Sequence, residues 1–252
     1  MNDQQPKRNG NVHEFRPRVE ALQDDARPMG ESLLHDLPPV VWLIAVPMAI
    51  IELMAQAASY GFIDGSRGTG WRMAMVQKFA LAPDMLGRMW ESGIWPADYL
   101  MRFVTYGFFH VNFLHAVMVI VFVLALGKFV VEGFGALAML AIFFVATIAG
   151  AIAYSLVPMA QAGLIGGYPG VYGLIGGFTA ILWSRLGAAH ANQYRAFTLI
   201  GFLLGIQLVY GLLFGTGWDW VAELTGFAAG FALSFLVAPG GPAHLLRLIR
   251  QR

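Results

Sequence analysis

Residues 166–177 read GGYPGVYGLIGG, and they open an apolar run that continues without an acid or base to Ser184. Gly166, Gly167, Gly170, Gly173, Gly176 and Gly177 recur there at small-residue spacing. Side-chain-free ridges let two backbones approach closely, which is how helices associate tightly in lipid. A second ridge, Gly226 and Gly230, lies in the last apolar run of the chain. A lone GxxxG can be lipid-facing decoration, but two matching ridges favour packing. The pattern predicts a central helix over 167–186, closely packed against a helix over 220–237.

Composition sets the environment of these helices. Of 252 residues 58% are apolar and 12% charged, against roughly 45–50% and about 25% in an ordinary soluble domain. Mean hydropathy is +0.62. Seven acids and five bases crowd into residues 1–36, and only a thin scatter follows, for a net charge of +1. This excludes a soluble enzyme with a charged coat, and a nucleic-acid partner would require a dense basic face. Cysteine is absent, which removes disulfides, thiolate nucleophiles and Cys metal sites. No apolar run precedes residue 39, so the first hydrophobic segment is expected to stay as a membrane anchor rather than serve as a signal peptide.

A spanning helix needs about 20 largely apolar residues, because a backbone in hydrocarbon must satisfy its own N–H and C=O groups. Six segments qualify, at about 39–60, 105–127, 135–157, 167–186, 196–214 and 220–237. The expected fold is therefore an all-α polytopic bundle of six transmembrane helices. A polar tail over 1–37 precedes the membrane domain at 38–240, and a basic tail over 241–252 follows it. Residues 61–101, with three tryptophans and interrupted apolar runs, form a long loop between the first two spans, and short interfacial helices suit them. Basic residues choose the orientation. With both termini cytoplasmic, eleven Lys and Arg face inward, and the long loop with Arg67, Arg72, Lys78 and Arg88 faces outward.

Three motifs carry a family resemblance. Residues 101–115 read MRFVTYGFFHVNFLH, with Arg102, Thr105, His110 and His115 in a Trp-Arg … Thr … His-x4-His-like opening; Gly127 and Glu132 follow. GYPGVYGLIGG falls on a Gly-x-Ser-Gly-x-x-x-Gly-x-x-Gly pattern, and AELTGFAAG at 222–230 on Ala-His-x-x-Gly-x-x-x-Gly. Over most of residues 38–240 the chain resembles the rhomboid family of intramembrane serine proteases, whose long first outer loop it shares. The resemblance implies a Ser–His dyad, with the second paired His and an Asn one turn later stabilising the oxyanion. Here Pro169 stands at the Ser position, Glu223 at the catalytic His position and Val119 at the Asn position. His115 remains on the oxyanion side, and Tyr172 at the position that packs against the catalytic His.

Acyl transfer needs an activated nucleophile within hydrogen-bond reach of a base, and proline offers none. A replacement dyad of Ser155 with His110 or His115 is the remaining protease route. Ser32, Ser59, Ser66, Ser92, Ser184 and Ser234 lack a His partner at a matching depth. Glu223, near the start of its helix, is expected to face a polar cavity shared with His115, His110 and Tyr172. A carboxylate in a membrane helix is usually paired or functional, and a purely structural hydrogen bond to Tyr172 or His115 is about as well supported. A metal site from His110, His115 and Glu223 is disfavoured: on a continuous helix five residues turn about 500° and leave the two rings about 140° apart. His110 is expected near the water boundary, Glu52 beside a polar group such as Gln207, and Arg102 as an anchor of the long loop. Gly167, Gly170, Gly173, Gly176, Gly226 and Gly230 are the packing positions.

These readings imply a non-catalytic rhomboid-like protein. It is expected to bind transmembrane segments of partner proteins in the bilayer, in assembly, stabilisation or quality control, or as a subunit of a membrane complex. The alternative is an intramembrane serine endopeptidase with an atypical nucleophile. No cofactor or metal is implied. The expected location is a bacterial inner membrane.

Overall fold

The computed structural model describes residues 37–62, 68–215 and 217–238. The expected tails at 1–37 (Leu37 apart) and 241–252 lie outside the described residues, as do Ser32 and Ser66. Nine α-helices are described: α1 (Pro39–Ser59), α2 (Gly68–Phe79), α3 (Met85–Ser92), α4 (Ala97–Thr105), α5 (Phe113–Phe134), α6 (Ala136–Ser155), α7 (Tyr168–Ala188), α8 (Thr198–Phe214) and α9 (Asp219–Val237). Tight 3-10 turns at Tyr106–Phe108 and Gln193–Phe197 precede α5 and α8.

By length and composition α1, α5, α6 and α9 are apolar enough to cross a membrane. Of the other two expected spans, α8 is short, at 17 residues. The 21 residues of α7 are long enough but diluted by glycine, and the packing explains why that is tolerated. Helix α7 is the central element, set against α9, α6 and α5, so its surface meets protein rather than lipid. Twelve of its residues are buried, from Pro169 to Ile181. A helix with protein on all sides gains its free energy from close contact, and small residues serve that better than large apolar ones.

The α7–α9 contact depends on the two glycine ridges. A Cβ at Gly230 would fall on the backbone of Gly173, one at Gly176 on the backbone of Phe227 and Phe231, and one at Gly226 on the Pro169 carbonyl. On the α6 side, Gly170 lies against Phe143 and Thr147, and Gly173 against Ala146. The main core, with Val41, Ile44, Met48, Val123, Ile142, Leu174 and Ile175, fills the space around α7.

The second expected span is displaced. The helix begins at Phe113 rather than Thr105 and runs to Phe134, past Gly127. Asn112 sets the start: its side chain accepts the His115 amide at 2.9 Å, capping an otherwise unpaired donor. Phe109 just before it is extended. Gly127 therefore sits inside α5, facing Met139 and Val41. The long loop forms α2, α3 and α4, whose Met85, Met89 and Phe103 build a second apolar cluster with Leu81, Tyr106, Tyr154, Leu164 and Ala222. Reciprocal backbone hydrogen bonds of 3.0 and 2.9 Å between Leu81 and Leu164 tie the loop to the segment entering α7.

Candidate functional site

The site forms where the start of α7 meets the starts of α5 and α9. Gly166 adopts a φ of +111°, a conformation that L side chains rarely take, and its amide donates to the Tyr106 carbonyl at 3.0 Å. A side chain there would strike the His115 imidazole. That ring instead stacks on Tyr168, with centroids 4.8 Å apart and 14° between planes. Its other neighbour is His110, edge-on at 5.1 Å. Val119 is fully buried and faces Gly167 across the same corner.

Pro169 occupies the first turn of α7, where a missing N–H costs nothing and the fixed φ suits the helix. It is wedged between Gly150 of α6 and Gly226 of α9. Glu223, in the second turn of α9 and 7% exposed, lies beside Tyr168 and Tyr172 and accepts a hydrogen bond from the Gln207 side chain of α8. Tyr168 thus stands between His115, on which it stacks, and Glu223, but the cavity that Glu223 lines includes none of His110, His115 and Tyr172, in contrast to the expected shared polar cavity. Glu223 pairs with Gln207 there rather than with His115.

Three expectations need correction. Glu52 does not pair with Gln207: Arg72 of α2 grips it bidentately, at 2.6 and 3.0 Å, and Gln56 adds a bond of 2.7 Å. His110 is not at the water boundary but 4% exposed, and Arg72 also donates to its carbonyl at 2.8 Å. The two imidazoles touch instead of diverging, because the 3-10 turn and extended residues before Asn112 break the assumed continuous helix. Burial first, then the His115 ring and the Arg72 guanidinium, push His110 down to about 3. Neither of its ring nitrogens, nor His115 Nε2, has a hydrogen-bond partner among the described residues. No three His, Cys, Asp or Glu converge on a metal position among the described residues. Arg102 reaches the carbonyls of Gln77 and Ala80 at 3.4 and 3.3 Å, tying the end of the long loop to its middle.

Every described serine spends its hydroxyl proton on its own helix. Ser59, Ser92, Ser155, Ser184 and Ser234 donate to the carbonyls of Ala55, Met89, Ala151, Ala180 and Gly230, and none bonds an imidazole. Ser155 Oγ in particular is 2.8 Å from the Ala151 oxygen, which gives the replacement dyad no hydrogen-bonded basis. Sequence reading missed Gln207 as the partner of Glu223 and Arg72 as that of Glu52. Two lone polar side chains in facing apolar helices were the available signal for the first pair.

Beside Glu223 a cavity of about 690 Å³ opens between the later half of α8 and the start of α9. Ile200 and Leu203 hold the first half of α8 to the core, whereas Leu208, Leu212 and Leu213 are exposed.

The profile described as "Rhomboid domain" matches residues 97–240, from α4 through α9. The chain is also 31% identical over 137 residues to "Rhomboid-like protease 3" of Toxoplasma gondii, an alignment covering 53% of this chain and 50% of that one. It thus spans about half the length of that curated relative. With more than half of its residues inside the matching profile, and apolar helices closing around a glycine-lined centre, this chain belongs to the rhomboid family and is an integral membrane protein.

Proposed function

We propose that this rhomboid-family protein is non-catalytic and binds transmembrane helices of partner proteins, in their assembly, stabilisation or quality control or as a subunit of a membrane complex. The observation that carries the reading is the fate of the serine hydroxyls: all five described ones donate to backbone carbonyls of their own helices. Proline and glutamate at the positions where the family pattern has its nucleophile and base support it, since neither restores that pair of roles. The open cleft between α8 and α9 supports lateral docking, driven by van der Waals packing and one or two polar contacts. The distribution of its basic residues supports both termini in the cytoplasm, and its otherwise short loops support a bacterial inner membrane.

The relative's name, a rhomboid-like protease, favours a second reading, an endopeptidase with an atypical nucleophile. Purification in mild detergent separates the two. The proposal predicts stoichiometric membrane partners recovered with intact spans. Partners recovered as fragments cut within a span, in the absence of other proteases, would favour the endopeptidase.

A further inference from the structure

The polar atoms on the wall of the α8–α9 cleft are unbalanced. Asp219 and Glu223 stand four residues apart, on one face of α9, and both line the cavity. Gln207 faces them from α8; its amide nitrogen is committed to Glu223, and its Oε1 is buried with no partner among the described residues. The open hydrogen-bonding capacity of this wall is therefore that of acceptors. No Lys, Arg or His is among the lining residues. Among the described residues the ion pairs are Arg72–Glu52 and Arg88–Asp84, both elsewhere. Carboxylates in membrane helices ordinarily meet a cation or donor on a neighbouring helix; here the neighbours within the chain supply only neutral groups, the Gln207 amide and the Tyr172 hydroxyl at Glu223 and the Tyr154 hydroxyl beside Asp219.

The rest of the wall is apolar and open: Ile206, Leu208, Leu212 and Trp220 line the cavity with exposed side chains. A small soluble cation would leave this surface uncovered. A spanning helix occupies on the order of 2000 Å³ as a cylinder, far more than the roughly 690 Å³ present. A partner helix fits by lying across the mouth and inserting side chains. A long basic side chain suits such a site, because its methylenes lie on apolar surface while its head reaches the carboxylates.

We propose that the cleft selects a partner helix bearing one lysine or arginine level with the first two turns of α9, its cationic head meeting Glu223 and Asp219. This rests on the reading that the cleft receives a transmembrane helix, and names the chemistry of that helix.

The test co-reconstitutes the full chain in phosphatidylcholine vesicles with fluorescent synthetic Leu/Ala helices of about 22 residues. Each carries Lys, Leu or Glu at one position, moved turn by turn along the helix, and association is read by energy transfer. At one register the Lys helix binds at least roughly tenfold tighter than the Leu helix, the gain seen for close interfacial charge pairs, and the Glu helix binds weakest. The combined Glu223→Gln, Asp219→Asn variant loses that advantage. Glu223→Lys with Asp219→Asn reverses the preference towards the Glu helix, a gain that a misfolded protein does not produce. Equal binding of Lys and Leu helices at every register overturns the charge selection and leaves helix binding intact. Binding of no helix overturns both readings.

Discussion

Glu52 lies within the first apolar helix, where an unpaired carboxylate is costly, and its partner comes from a short helix twenty positions further on. The Arg72 side chain is 18% exposed and that of Glu52 5%, so breaking the pair strands a buried charge. Arg72→Leu should therefore destabilise the protein by on the order of 3 kcal/mol. The combined Arg72→Leu, Glu52→Leu variant should recover most of the loss, read as unfolding midpoints in detergent. His110 adds a pH signature. Its folded value of about 3 lies below the ordinary 6.5, so the unfolded chain binds a proton that the folded chain refuses. Its contribution is complete above pH 6.5 and is lost as pH falls from 6.5 towards 3. Thermal midpoints should decline over that window, and His110→Phe should flatten the decline.

At the scale of elements, the α7–α9 crossing carries the bundle. Gly230→Leu drives a side chain into the Gly173 backbone and should cost on the order of 3 kcal/mol or prevent assembly. At Gly205 on α8 an added Cβ meets nothing within 4 Å, so Gly205→Ala should leave the stability within about 0.5 kcal/mol of the parent. Amide exchange should be fastest, among the membrane helices, in the later half of α8, which has few buried apolar contacts. The glycine ridges were readable from spacing alone because they encode a contact between two regular helices. The start of α5 was less so: Asn112 is a strong cap, but the apolar run from Phe103 through Phe109 masks the break before it. The partner of Glu52 was not readable at all, and that of Glu223 only as a lone polar residue, Gln207, in a facing apolar run. Which polar side chains meet depends on how the loop helices and α8 are set against the bundle, and hydropathy carries no information about that.

Over the whole molecule, the family scaffold is kept and the hydroxyl-to-imidazole contact on which serine proteolysis depends is absent among the described residues. Packing around α7 accounts for the scaffold, and first-turn geometry accounts for a proline at the head of that helix. Neither consideration requires a carboxylate at Glu223, which is why partner recognition is proposed at that residue and its cleft. The most direct test treats the purified, reconstituted protein with a serine-reactive fluorophosphonate probe. The account predicts no labelling above that of heat-denatured protein. Specific labelling that disappears when one of the chain's serines is replaced would contradict it.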